Sequence, residues 1–180
     1  MSNPPANPIA LEERGRDGAR LSSPAAARNR EVIAALLSER LPKGARVLEI
    51  GCGTGEHALA CVRARPDLVW RPSDPDADSR ASADDWGREA DGRMLPAVAI
   101  DVTADGWADA LEPFDAVYSA NMIHIAPWEA CTGLLAGAGS KLSDGGLLIL
   151  YGPFLEGDAT APSNLEFDRS LQSRDPRWGL

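Results

Sequence analysis

VLEIGCGTGEH, residues 47–57, decides how the whole chain is read. The apolar run Val47–Ile50 breaks into glycines at alternate positions, Gly51, Gly53 and Gly55, and a helix-compatible segment starts at Glu56. Strand, glycine turn and helix together form the entry unit of a parallel α/β sheet. Such a turn can cradle a phosphate, seat a phosphate-free nucleoside, or simply join two elements. The residues around it have to discriminate.

Outward from this unit, apolar strands and helices alternate. Upstream, SSPAAARNREVIAALLSERL reads as a helix with Ser23 as cap and Pro24 in the first turn. Val32, Ile33, Leu36, Leu37 and Leu41 recur on one face, and Pro42 and Gly44 end it. Downstream, LVWRPSD, LPAVAID, FDAVYSAN and GGLLILYG read as strands, separated by helical segments beginning near Glu56, Asp76 and Pro127. Strands apolar on both faces are covered on both faces, so the expected fold is α/β, a doubly wound parallel sheet of five strands in the order 3-2-1-4-5. Residues 1–22, rich in Pro, Gly, Asn and charge, read as a mobile arm, and residues 23–180 as a single domain. The tail after Tyr151 reads as loop plus a short helix over 164–171, near the rim of the site.

Composition narrows the partners. A net charge of −9 argues against a duplex nucleic-acid ligand, which needs a basic face. No apolar run approaches the roughly 20 residues of a membrane span, and the N-terminus lacks the apolar core of a signal peptide, so the expected location is cytoplasmic. Cys52, Cys61 and Cys131 fit no paired metal pattern; they read as buried thiols in a reducing compartment, and no metal site is evident.

The turn itself is G-x-G-x-G. Glu56 stands where the dinucleotide fingerprint G-x-G-x-x-G has its third glycine, and no Lys-Ser/Thr pair follows as a P-loop requires. Glu49, two residues before Gly51, would repel a pyrophosphate and attract a cation. S-adenosylmethionine, with an ammonium, a sulphonium and no phosphate, suits that acid. Asp74 ends the second expected strand, where a carboxylate can take both ribose hydroxyls. Asp101 ends the third, within reach of an adenine amino group, with Val102 able to pack on the ring. Each acid alone could be a cap or an ion-pair residue. Three at successive strand ends point to a nucleoside site.

With these residues in place the chain resembles the class I S-adenosylmethionine-dependent methyltransferases. More narrowly, it resembles a small methyltransferase-like family catalogued as a domain of unknown function. The resemblance rests on RNR (28–30), LEIGCGTGEHA, WRPSDPD, NMIHIAPW, and YGPF followed by SNLEFDRSLQSRDPRWGL, from about Ser23 to the last residue. It implies that Glu49, Gly51, Cys52, Gly53 and Gly55 surround the methionine portion of the cofactor. It further implies that Asp74 holds the ribose and Asp101 with Val102 the adenine. Asn121 and Met122 would line the sulphonium end, and Arg28 and Asn29 would close over the methionine carboxylate. Methyltransferases of this class continue past the fifth strand with a helix and an antiparallel hairpin. The resemblance therefore implies a closing section missing after Leu180, an exposed sheet edge, and pairing with a second copy in a homodimer.

For the chemistry, His124 is the histidine expected near the methyl. It either serves as base or orders the NMIHIAPW turn by hydrogen bonding. Trp128, Tyr151, Phe154 and Asn164 are candidates for the acceptor pocket, and equally for plain core or rim positions. The expectation is methyl transfer to a small molecule. The alternative is a cofactor-binding protein without catalysis.

Overall fold

A computed structural model describes residues 13–180. The elements follow the alternation: α1 (Pro24–Arg40), β3 (Arg46–Ile50), α2 (Glu56–Ala64), β4 (Val69–Ser73), α3 (Ala77–Gly87), β5 (Phe114–Ala120), α4 (Trp128–Lys141), β6 (Leu142–Tyr151) and α5 (Pro162–Arg174). They are preceded by a short hairpin, β1 (Gly15–Asp17) and β2 (Arg20–Ser22). The main sheet is parallel and runs β4-β3-β5-β6.

Alternate residues of β3 feed two cores. Val47 joins Ile33, Leu37, Leu59, Val62, Trp70 and Tyr118 under α1 and α2. Leu48 and Ile50 join Val102, Val117, Leu134 and Ala138 under α4. This is the doubly covered sheet that apolar strands imply. Ser23 caps α1, its Oγ accepting from Ala26 N at 3.2 Å, with Pro24 at the first helical position. Val32 and Leu36, expected on the buried face, are exposed instead. At 100° per residue, the inward arc centred on Ile33, Leu37 and Leu41 leaves them on its flank.

Two expectations are corrected. The third strand, LPAVAID, does not form as a strand; only isolated parallel bridges, Trp70↔Met94 and Ser73↔Val98, tie this segment to β4. Trp70 N donates to Arg93 O and Leu95 N to Trp70 O, but Pro72 has no N–H to continue the ladder, and the register slips before Val98 N reaches Pro72 O. The expected mobile arm lies partly outside the described residues, and over Gly15–Ser22 it is a hairpin lashed to α3. Arg16 pairs with Asp78 at 2.6 Å, Arg20 Nε with Asp85 at 2.8 Å, and Leu21 N donates to Ser82 Oγ at 2.7 Å. Arg20 also lies 4.0 Å over the Trp86 ring. Basic arm and acidic helix supply complementary charge, which periodicity within the arm cannot reveal.

Candidate functional site

β3 is the strand on which the sheet's neighbours divide, with β4 on one side and β5 on the other. Beyond its carboxyl end lies the crevice where open α/β sheets bind ligands. Two serines stitch that end together: Ser73 Oγ donates to Glu49 O at 2.6 Å, and Ser119 Oγ to Ile50 O at 2.8 Å. Both are buried, and nothing in the sequence singles them out.

The three glycines all have positive φ: +71° at Gly51, +54° at Gly53 and +86° at Gly55. An L side chain would be strained at each. Space adds a second demand at two of them. A Cβ on Gly51 would lie 2.9 Å from Met122 Cγ, and one on Gly55 would lie 2.6 Å from the Cα of Ala83 in α3. Over Gly53 the nearest atom is an Arg14 guanidinium nitrogen at 3.6 Å, so the centre of the turn stays open.

The acids behave differently from bare carboxylates at a mouth. Glu49 is fully buried; the register places it opposite Pro72 and Tyr118, and Trp70 Nε1 donates to its Oε2 at 2.8 Å. Burial pushes its carboxyl up to about 8, with the charge of Asp74 adding to the rise and the Trp70 hydrogen bond opposing it. The Tyr118 hydroxyl beside it is buried without a hydrogen-bond partner. Asp74 sits at the end of β4 and accepts from Gly53 N at 3.0 Å and from Asp76 N at 2.9 Å. Burial raises its carboxyl, against these two amides and the nearby Arg14 charge. Asp101, in contrast, is exposed in a loop, its Oδ1 accepting from Thr103 N and Oγ1. Val102 is buried, with its carbonyl packed against Gly133 of α4, where a Cβ would have no room. Cys52 is buried in the turn and donates its N–H to Ser73 O at 2.9 Å; burial raises its thiol. All three cysteines are free, buried thiols.

Glu56 ties the turn to α1: its carboxylate accepts from Arg30 Nη1 at 2.8 Å and Ser23 N at 2.8 Å, and from Thr54 Oγ1 of the turn at 3.0 Å. Asn29 Oδ1 meets His57 Nε2 at 2.9 Å, while Arg28 lies exposed on the same helix. His57 packs edge-on to Tyr118 with centroids 6.5 Å apart; burial, then the Arg30 charge, bring its pKa down to about 4.

At the far lip, Asn121 adopts a left-handed conformation, φ +58°, just past β5, and its N–H donates to Tyr151 O at 2.8 Å. Asparagine tolerates this region better than most residues. The turn it starts, Met122–Ile125, lays Met122 against Gly51 and buries His124. His124 Nδ1 points at Gly179 O (3.4 Å), the His124 ring meets Phe154 with centroids 5.3 Å apart, and its buried Nε2 has no hydrogen-bond partner. A Cβ on Gly152 would collide with that Nε2. Burial lowers the His124 pKa. Of the four pocket candidates, Phe154 is brought to His124, Tyr151 packs against the α1–α2 core, Trp128 is 71% exposed at the start of α4, and Asn164 lies in the first turn of α5. Among the described residues no group of His, Cys, Asp and Glu could hold a metal ion, and no helix is long and apolar enough to cross a membrane.

Residues 20–180 match the family described as "Protein of unknown function (DUF938)". The chain belongs to the DUF938 family. Solved structures share its fold. An O-methyltransferase family protein from Burkholderia thailandensis superposes with a TM-score of 0.72 at 16% identity, over 87% of this DUF938 chain and 46% of that one. The S-adenosylmethionine-dependent methyltransferase SibL, in apo form, gives 0.65 at 25% identity, over 81% and 41%. CalO1, a methyltransferase of calicheamicin biosynthesis in its SAH-bound form, gives 0.68 at 18%, over 86% and 43%. The fold is thus the Rossmann-like methyltransferase fold, and the DUF938 chain spans less than half the length of these structures.

Proposed function

We propose that this chain binds S-adenosylmethionine across the carboxyl ends of β3, β4 and β5 and transfers its methyl group to a small-molecule acceptor. The observation that carries the reading is the hydrogen bond from Gly53 N to Asp74 Oδ2. A pyrophosphate binds such a turn through backbone amides at the helix start. Here the Gly53 amide is committed to a carboxylate and the Gly55 amide to Cys52 O at 3.0 Å. An anion would meet a carboxylate where it needs donors. A nucleoside without phosphate meets an acceptor for its ribose hydroxyls, since each Asp74 oxygen keeps a lone pair.

The remaining residues fit the same guest. Gly53 leaves room for close approach, and Glu49 behind the turn favours a cation once it ionises. Val102 is our proposal for the residue flanking an adenine, with Asp101 for its amino group. Asn121 and Met122 bound the methyl end, and Arg28 and Asn29 the methionine head. The bound cofactor would supply an already activated methyl, leaving the protein to align the acceptor and exclude water. His124, packed between Gly152, Phe154 and Gly179, is suited to ordering the lip of the site; Phe154, Tyr151, Trp128 and Asn164 are the proposed acceptor-side residues. The segment Met94–Val98 beside β4 is proposed as the remnant of the third strand in the order 3-2-1-4-5.

Titration calorimetry with S-adenosylmethionine, S-adenosylhomocysteine and NAD tests the reading. Saturable binding of the first two with none of NAD is expected. Tight NAD binding, or silence with both sulphur nucleosides, would overturn it.

A further inference from the structure

Arg14 lies in the segment before β1, outside every motif in the chain. The hairpin delivers it to the glycine turn: one guanidinium nitrogen lies 3.6 Å from where a Gly53 Cβ would be, and Nη1 reaches Ser79 Oγ at 3.4 Å. Its position is held by neighbours. Arg16 on Asp78 and Arg20 on Asp85 pin the strands on either side of the hairpin turn to α3, and Arg20 also pairs with Glu89 just beyond it.

Other cations bordering the crevice are engaged. Arg30 is paired with the buried Glu56, and Arg80 donates to the carbonyls of Asp74 and Pro75. Arg14 differs. A guanidinium carries five N–H donors in a planar fork; Arg14 uses one in a long contact to the Ser79 hydroxyl, and its charge also acts on the Asp74 carboxylate without a hydrogen bond to it. The geometry points to a fork poised for a carboxylate. A zwitterionic amino-acid head carries ammonium and carboxylate a few bonds apart. With an Arg14 nitrogen 3.6 Å from the Gly53 Cβ position, the carboxylate of such a head finds an opposite charge at the turn.

We propose that Arg14 is a specificity-determining residue that grips the α-carboxylate of an amino-acid-bearing nucleoside, so that the N-terminal hairpin forms one wall of the cofactor site. The proposal rests on the S-adenosylmethionine reading above and adds a residue and a selection rule to it.

The test compares S-adenosylhomocysteine with 5′-methylthioadenosine, which shares the thioether-linked adenosine and lacks the amino-acid head. Both are titrated into the full-length chain, wild type and the Arg14→Ala and Arg14→Lys variants, each checked for an unchanged far-UV spectrum and melting transition. Wild type should prefer the homocysteine nucleoside. Arg14→Ala should weaken that ligand roughly 10- to 100-fold, the scale of a hydrogen-bonded charge, and change methylthioadenosine by less than about 2-fold. Arg14→Lys should recover part of the loss, as a point charge without the fork. Equal weakening of both ligands would mark Arg14 as structural only and overturn the proposal, as would no weakening of either. If Arg14→Ala does not fold, the Lys variant and the wild-type preference still decide: equal wild-type affinity for the two ligands, or a Lys variant with wild-type preference and affinity, overturns the proposal. If wild type binds no sulphur nucleoside at all, the cofactor reading itself falls, and this one with it.

Discussion

His124 and Gly179 hold each other from both sides: the Gly179 amide donates to His124 O at 3.2 Å, and His124 Nδ1 faces Gly179 O at 3.4 Å. The contact joins the turn after β5 to the chain's last residues, 55 positions apart. It brings together NMIHIAPW and RDPRWG, which read in the sequence as two unrelated motifs. An Nδ1–H directed at that carbonyl leaves Nε2 on the side of Gly152.

Replacing His124 by Ala should therefore act on the tail first. We expect a loss of about 1–3 kcal/mol in urea unfolding, from an unpartnered carbonyl and a buried cavity. Limited proteolysis should cut sooner between Asp175 and the terminus. Cofactor affinity should change little. A variant with wild-type protease resistance but abolished methyl transfer would instead make His124 the base.

Glu49 should report cofactor arrival as a proton. Its carboxyl, near 8 in the free protein, is mostly protonated at pH 7. A cation set beside it lowers that value, so binding of S-adenosylmethionine should release on the order of one proton per site. Calorimetric heats at pH 7 in two buffers of different ionisation enthalpy measure this. Glu49→Gln should erase the buffer dependence contributed by this group.

The same group shapes stability against pH. An acid raised from 4.5 to about 8 on folding binds more protons folded than unfolded, so its contribution falls as pH climbs through that window. His57, lowered from 6.5 to about 4, contributes the opposite slope, with stability lost as pH falls below 6.5. The two oppose each other between 4.5 and 6.5. Above 6.5 the Glu49 slope stands alone, and stability should drop by about 1–2 kcal/mol by pH 8. Urea titrations across that range should show the drop in wild type and its absence in Glu49→Gln.

Gly55 should be the least replaceable glycine of the turn. Gly55→Ala combines a left-handed backbone with a Cβ 2.6 Å from the Ala83 Cα, at an expected cost of about 2–4 kcal/mol. Adding Ala83→Gly should not rescue it, because the closest atom is backbone. Gly53→Ala, in open space, should cost only about 1–2 kcal/mol. Denaturant midpoints of the three variants give the ranking.

Much of the scaffold was legible in the residues. Ser23 and Pro24 announced the start of α1, the glycines announced the turn, and apolar runs on both sides of it announced a doubly covered sheet. What was illegible had specific causes. The third expected strand failed because Pro72, in its neighbour, cannot donate to it. Glu56 stood out as a departure from the dinucleotide fingerprint, and its pairing with Arg30, 26 positions upstream, has no local signal. Asp101 stands in a solvent-exposed loop rather than buried at a strand end.

By itself, then, the sequence determined the alternation of elements and the turn at Gly51–Gly55, because periodicity, caps and glycine stereochemistry act over a few neighbouring residues. Only the tertiary structure decided which acids matter there and how. Asp74 takes the Gly53 amide, Glu49 is buried against Trp70 and Tyr118 with its carboxyl pushed up by that burial, and Arg14 arrives over the turn beside a hairpin held by α3. Burial, register and charge pairing depend on partners tens of residues away. Those set the field at the site, and no local pattern encodes it.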